Sequence, residues 1–321
     1  MTDFSRTFHD LVSGQLTHDQ GADFLTTLRA KGESAEEIAQ AATILKEQAL
    51  SFDLPLENVV DNCGTGGDGF HTFNISTTAA FIAAGAGAHV AKHGNRSVSS
   101  QSGSADVLEK LNVSIEMNVK EVKSAIEKCG LGFLFARQYH PAMKNVAPIR
   151  QALGVRTIFN ILGPLLNPAQ VTRQVIGVFD PDLVETIAHA LLRLGHEQAL
   201  VVYGSGLDEF CLHGENTVAE VKDGKVSTYK LKVEDLGLSS AGLEALTGAG
   251  PEENATITEN ILSGKEKGPK RDVAVLNAGA TIYVSGITSS LQKGVMLAQS
   301  SIDNGNAFEA LEKLRQVSSH A

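Results

Sequence analysis

Cysteine is scarce in this 321-residue chain: Cys63, Cys129 and Cys211 stand far apart, and no Cys-x-x-Cys pair occurs. That spacing argues against both a disulfide framework and a thiolate metal site, and it fits a reducing cytoplasm. Positive charge is also in short supply. With 27 Lys and Arg against 37 Asp and Glu, the net charge is −10, which disfavours general affinity for nucleic acid or anionic membrane, so an anionic ligand would have to be held by a local basic pocket. No apolar run approaches the ~20 residues needed to cross a bilayer. The opening Met-Thr-Asp-Phe-Ser-Arg has no basic stretch leading into an apolar core, so a soluble protein is expected. His-Glu-x-x-His spacing is missing too, which disfavours a zinc hydrolase.

Apolar residues make up 42% of the chain, enough for a full core, and the length suggests a large domain beside a small one. Residues 3–50 read as helical throughout. Thr17 with Gln20 and Ser34 with Glu37 form capping boxes, and Phe24, Leu25 and Leu28, then Ile38, Ala41, Ala42 and Leu45, recur at helical spacing. After Pro55 the pattern changes. Val59-Val60-Asp61 runs into a glycine-rich loop, Thr77–Ala86 forms an Ala-rich helix, and His89-Val90-Ala91 makes the next strand.

Further strands are expected at Phe133–Phe135, Val175–Val178, Ala199–Val202 and Val273–Leu276, with helices such as Asp182–Leu194 between them. Alternation of this kind implies an α/β domain with a mainly parallel, covered sheet. Pro141–Pro168 reads as two more helices that return to the helical domain, closed by Pro164 and Pro168. A short hairpin is expected around Asp223-Gly224. The resulting division is a small helical domain, 1–61 joined by 141–168, and a large α/β domain, 62–321.

Two loops carry the chemistry. Gly64-Thr65-Gly66-Gly67-Asp68-Gly69 satisfies the literal G-x-G-x-x-G dinucleotide pattern. The helix opens only after Phe70-His71-Thr72-Phe73, however, and the next strand ends in Lys92-His93 where a ribose-binding acid would be expected. The same glycines can instead let backbone N–H groups approach a phosphate or diphosphate, with Ser76 and Thr77 at a helix N-terminus that favours negative charge. In the second loop, Lys92 and Arg96 would neutralise diphosphate, Gly94 leaves room, and Asn95 offers both donor and acceptor. Ser102 or Ser104 could cap the following helix, whose amides would form a second anion site. Each part has a plainer reading, since Asn74, Ser76 or Ser102 could simply cap and glycines could simply turn.

Asp208-Glu209 follows the strand ending in Tyr203 and the turn Gly204-Ser205-Gly206, which places adjacent carboxylates at the C-terminal end of a parallel strand, where open α/β sheets bind ligands. Hard carboxylate oxygens suit Mg²⁺ bridged to ligand phosphates. A solvated acidic pair is the plainer alternative.

These segments in this order resemble the anthranilate phosphoribosyltransferase family of tryptophan biosynthesis over nearly the whole chain. The likeness rests on Gly64–Asp68, Thr72-Phe73-Asn74-Ile75-Ser76-Thr77, Lys92–Ser100, Ser102–Asp106 and Gly206–Glu209, and further on Phe159–Pro168 and Asn277-Ala278-Gly279-Ala280. It implies a nucleoside phosphorylase-like phosphoribosyltransferase fold with a hinge, and a homodimer formed through the small domain. It further implies transfer of the phosphoribosyl group of phosphoribosyl diphosphate (PRPP) to anthranilate.

By the same resemblance, PRPP would be bound by Gly64, Gly67, Asp68, Thr72, Asn74, Ile75, Ser76, Thr77, Lys92, His93, Gly94, Asn95, Arg96, Ser97, Val98, Ser99, Ser100 and Ser104. Anthranilate would touch Gly64, Asn95 and Arg150, and Mg²⁺ would be served by Ser76, Asp208 and Glu209. A guanidinium at Arg150 could clasp an aromatic carboxylate in two places. Asn112 stands where the family often has glycine at a helix end, a position Asn tolerates. Two other readings stay open: a pyrimidine nucleoside phosphorylase, which would use free phosphate and no metal, and a non-enzymatic nucleic-acid-binding relative, which the acidic balance disfavours.

Overall fold

Both capping boxes form. In the computed structural model, which describes residues 3–97 and 101–319, three helices open the chain: α1 (Asp3–Val12), α2 (His18–Lys31) and α3 (Ala35–Glu47). The Thr17 and Ser34 side chains accept from the amides of Gln20 and Glu37, and those two side chains accept from the cap amides in return. The amphipathic stripes then pack together, burying Phe8, Leu11, Leu25, Leu28, Ile38 and Leu45.

The sheet takes up the chain at Val60, two residues before the expected 61/62 junction. β1 (Val60–Gly64) leads to α4 (Ile75–Gly85), β2 (Val90–Gly94), α5 (Ser104–Lys110), α6 (Val119–Cys129) and β3 (Leu131–Phe135). The chain then passes through α7 (Ala136–Tyr139), α8 (Met143–Leu153) and α9 (Phe159–Leu162) before β4 (Arg173–Gly177), α10 (Leu183–Arg193) and β5 (Gln198–Gly204). Helices α8 and α9 pack on α1–α3, as the sequence suggested for 141–168. Pro148 lies inside α8, and Pro164 opens a short 3₁₀ turn at Gly163–Leu166.

Next come β6 (Asn216–Lys222) and β7 (Lys225–Leu231), joined at Asp223-Gly224 with φ of 50° and 71°. Positive φ at both central residues gives the strand twist a two-residue hairpin needs. The chain ends in α11 (Pro251–Leu262), α12 (Pro269–Val284), α13 (Leu291–Asp303) and α14 (Asn306–Ser318).

The expected strand at Val273–Leu276 is wrong: it lies within α12. Every residue from Val273 to Val284 is buried, and a segment apolar on all sides carries neither the period of two nor that of 3.6 that would tell strand from helix. Asn112 adopts φ 58° after α5, the left-handed conformation anticipated for it.

Strand order is β3-β2-β1-β4-β5-β6-β7, with the first five parallel and β6 and β7 antiparallel at one edge. The chain builds outward from β1 to one side through β2 and β3, then crosses to the other side at β4. β1 and β4 therefore flank the switch point, outside whose C-terminal ends open α/β sheets hold ligands. Their registers end together, with Gly64 opposite Gly177. No described helix is long and apolar enough to cross a membrane.

Candidate active site at the strand ends

Asp208 and Glu209 sit on that switch point because three strands end in glycine. A Cβ at Gly64, the last residue of β1, would lie 2.0 Å from Asp208 Oδ2. One at Gly177, ending β4, would lie 1.6 Å from the Asp208 carbonyl oxygen, and one at Gly204, ending β5, 2.1 Å from the Glu209 carbonyl oxygen. The acidic segment thus lies directly on the strand ends, a contact only glycine permits. Sequence inspection singled out Gly64 for phosphate and missed Gly177, whose neighbours in sequence give no sign of this contact.

The first loop wraps the pair. The Gly66 amide donates to Asp208 Oδ2 at 2.6 Å, and the Phe70 amide donates to Asp68 Oδ1 at 3.1 Å. Asp68 shares a hydrogen bond with Asp208. Glu209 accepts from the amide and hydroxyl of Ser76 in the first turn of α4. Asn74, just ahead of α4, does not cap it. Its side chain instead donates to the Ser102 carbonyl and accepts from the Ser102 hydroxyl and from Asn254 Nδ2, which ties the two loops together. Ile75 and Thr77 are buried in the first turn of α4, and the Thr72 backbone bridges to Thr247.

The electrostatics are those of a place short of positive charge. Burial, then Glu209 and Asp68, push the Asp208 carboxyl well above its ordinary range. Burial also lifts Glu209, to about 7, with Lys92 opposing and Asp68 adding to the rise; Asp68 itself is raised by burial. Like charges brought together in low dielectric favour the protonated forms. Lys92 was expected to neutralise diphosphate. It is instead buried beneath the floor, its Nζ donating to the Asn62 carbonyl at 2.6 Å and to Ser76 Oγ at 3.3 Å, so its charge reaches the cleft through Ser76 and Glu209.

Arg96 also departs from expectation. Its guanidinium grips Glu109 through two nitrogens, at 2.6 and 2.8 Å, and Asp106 at 3.0 Å, so a phosphate would have to compete with two carboxylates for it. Neither Ser102 nor Ser104 caps α5. Asp106 does so from within the helix, accepting from the amides of Gly103 at 2.9 Å and Ser97 at 3.0 Å. Burial works against the Asp106 charge, but those amides and Arg96 outweigh it and hold the carboxyl below its usual range. Ser104 Oγ donates to the Asn95 carbonyl, beside Gly94 at the end of β2. Val98, Ser99 and Ser100 lie outside the described residues.

A cleft of about 350 Å³ opens between Gly67–His71 and the segment Gly154–Arg156 with Asn160. Arg156, which sequence reasoning passed over, bridges its two sides: it donates to the Gly67 carbonyl and lies over the Phe179 ring, 3.8 Å from its centroid. Arg150 does not line this cleft. It sits in the last turn of α8 above the Phe159 ring, where burial lowers its pKa, and no hydrogen bond or ion pair engages its guanidinium among the described residues. His93, at the end of β2, stacks edge-on with His140 at 5.3 Å, and burial lowers its pKa to about 3, which leaves the ring neutral.

The Gly66 amide and the first turn of α4 thus meet a carboxylate pair at the sheet's switch point, beside the cleft lined by Gly67–His71. The α/β-domain profile of the glycosyl transferase family matches residues 56–308, and that family's helical-bundle profile matches residues 2–49. An anthranilate phosphoribosyltransferase of Haloarcula marismortui is 51% identical over 310 residues, 97% of this chain and 94% of its own length.

The chain belongs to the anthranilate phosphoribosyltransferase family. The family's enzyme from Thermus thermophilus superposes with a TM-score of 0.94 at 46% identity, covering 98% of this chain and 94% of that one. The Saccharomyces cerevisiae anthranilate phosphoribosyltransferase, in a complex with PRPP and Mg, matches at 0.88 and 32% identity, covering 98% and 91%. Another structure of the yeast enzyme holds 4-fluoroanthranilate. Membership in this family accounts for both the small helical bundle and the mostly parallel sheet.

Proposed function

We propose that this chain transfers the phosphoribosyl group of PRPP to anthranilate, giving N-(5-phosphoribosyl)anthranilate and diphosphate, the second step of tryptophan synthesis from chorismate. The observation that carries the reading is the Asp208–Glu209 pair laid over the β1/β4 switch point against the Gly66 amide and Ser76. The amine nitrogen bonds to C1 of the ribose as the bond from C1 to diphosphate breaks, and the amine then loses a proton. An aryl amine is already a neutral nucleophile, so the protein's task is to orient it and to stabilise the leaving group rather than to supply a strong base. No side chain is assigned to proton transfer.

Ser76, Asp208 and Glu209 supply hard oxygen donors, and the crowded carboxyls would be stabilised in their charged forms by a cation, which fits Mg²⁺. Among the described residues no group of three or more His, Cys, Asp or Glu side chains is arranged to hold a metal alone, so the ion would be shared with substrate phosphates. Bound there, it would neutralise charge on the departing diphosphate. Gly64, Gly67, Asp68, Thr72, Asn74, Ile75, Ser76, Thr77, the run 92–100 and Ser104 form the PRPP side in this reading, and Gly64, Asn95 and Arg150 the anthranilate side. The domain division at 61/62, a homodimer through the helical domain, and a cytoplasmic location belong to the same proposal.

Anthranilate fluorescence followed with PRPP and Mg²⁺ tests it. Signal should fall only in the complete mixture; loss of thymidine with free phosphate instead would indicate the phosphorylase. Arg150→Ala should raise the KM for anthranilate by about 10- to 100-fold, the worth of a charge-assisted hydrogen-bonded pair, while the KM for PRPP holds. An unaltered anthranilate KM would move the carboxylate site elsewhere, with Arg156 next in line.

A further inference from the structure

The glycines explain how Asp208 and Glu209 come so close to the strand ends, but not what keeps them there. Three carboxyl groups crowd the site, away from the water that would hydrate their charged forms. A free loop could regain that hydration by lifting into solvent. The residues that follow the pair are tied down.

Phe210 is gripped through both of its backbone polar groups by one buried side chain. Asn277 Oδ1 accepts from the Phe210 amide at 3.0 Å and Asn277 Nδ2 donates to the Phe210 carbonyl at 2.9 Å. Nδ2 donates its second hydrogen to the Val273 carbonyl, also at 2.9 Å, so the amide is anchored to its own helix, α12. The next residue is held in the same way from another element. Asn216 Oδ1 accepts from the Cys211 amide at 2.8 Å, and its Nδ2 donates to the Cys211 carbonyl at 3.2 Å. Asn277 and Asn216 are 3% and 0% exposed. A carboxamide has one acceptor side and one donor side, so it can pair with the N–H and C=O of one residue as a neighbouring antiparallel strand would.

We infer that Asn277 on α12 and Asn216 at the start of β6 are positioning residues, a double clamp that holds the Asp208–Glu209 pair on the ends of β1, β4 and β5. The inference rests on the reading of that pair as the Mg²⁺-PRPP site. Asn277 reaches no carboxylate itself; it acts through the Phe210 backbone, one peptide from Glu209. The clamp keeps the carboxyl oxygens pre-positioned, so that a cation entering with substrate phosphates meets an assembled donor set.

The test pairs Asn277→Ser and Asn216→Ser with the variant carrying Asp208→Ala and Glu209→Ala. Calorimetric titration of PRPP at fixed Mg²⁺ should show affinity about tenfold weaker or worse in each Asn variant, and the Mg²⁺ concentration for half-maximal turnover should rise in parallel, with the anthranilate KM unchanged. Added to the doubly Ala-substituted protein, Asn277→Ser should weaken PRPP binding no further, because residues acting through one site are not additive.

A lowered melting temperature with wild-type PRPP affinity and Mg²⁺ response in a folded Asn variant would overturn the clamp, and so would fully additive losses. If Asn277→Ser does not fold, Asn216→Ser decides on the same readouts. If the doubly Ala-substituted protein itself keeps the wild-type Mg²⁺ response, the reading of the site falls, and with it the basis of the clamp.

Discussion

Replacing Asp208 and Glu209 together with alanine should lower kcat/KM for PRPP by about 10²-fold or more, the scale of losing a preorganised electrostatic stabiliser, and abolish the dependence of turnover on Mg²⁺. The same change should make the ligand-free protein less sensitive to alkaline pH. Glu209 titrates near 7 in the folded protein, raised from 4.5 chiefly by burial, and Asp208 is raised well above its ordinary value. A carboxyl raised by folding binds more protons in the native state, so its contribution is complete below the unfolded pKa and is lost as pH rises through the folded one.

Without metal, wild-type stability should therefore fall from about pH 4.5 to pH 7 and beyond by more than that of the double variant, by on the order of a few kcal/mol. Thermal unfolding of both proteins at pH 5 and pH 8, with and without Mg²⁺ and PRPP, separates this effect from other titrating groups, since only the difference between the two proteins reports on the pair. Parallel pH profiles would show that folding does not raise the pKa values of the pair.

The second large effect belongs to a glycine. Gly177→Ala should reduce turnover by about a hundredfold, because the added methyl would fall 1.6 Å from the Asp208 carbonyl oxygen, and a shift of about 1 Å in a catalytic group costs that much. The obstacle is backbone rather than a flexible side-chain end, so it can be relieved only by moving the acidic segment or the strand. Gly177 is not among the residues with positive φ, so alanine brings no backbone strain there and the loss is steric. Gly163→Ala provides the comparison: its added Cβ meets nothing within 4 Å and its φ is −45°, and it should retain turnover. Equal activity in the two variants would mean that the position of the acidic segment does not govern the reaction.

Much of this protein is written locally. Thr17 with Gln20 and Ser34 with Glu37 announce helix starts because a capping box is complete within four residues. Asp223-Gly224 announces a hairpin because only a few residue types accept positive φ in succession. The strands β1 to β5 and the two glycine- and serine-bearing loops between them follow from apolar runs and the turn residues that bound them, and their order carries the likeness to the family.

What the tertiary structure decided is what contact at long range decides. Val273–Leu276 reads as a strand by composition but is helical because α12 is enclosed on every side, so burial leaves no periodicity in its sequence. Asp106 rather than a serine secures the start of α5, since its carboxyl also reaches the Ser97 amide and Arg96. Lys92 lies under the floor and Arg96 is held by Glu109, because each finds its partner across the fold. Asp208 rests on Gly64, 144 residues earlier, and is secured through Asn277, 69 residues later. Local chemistry marked the glycine, serine and acidic segments as candidates; the sheet's switch point, where strands distant in sequence end side by side, decided which of them meet.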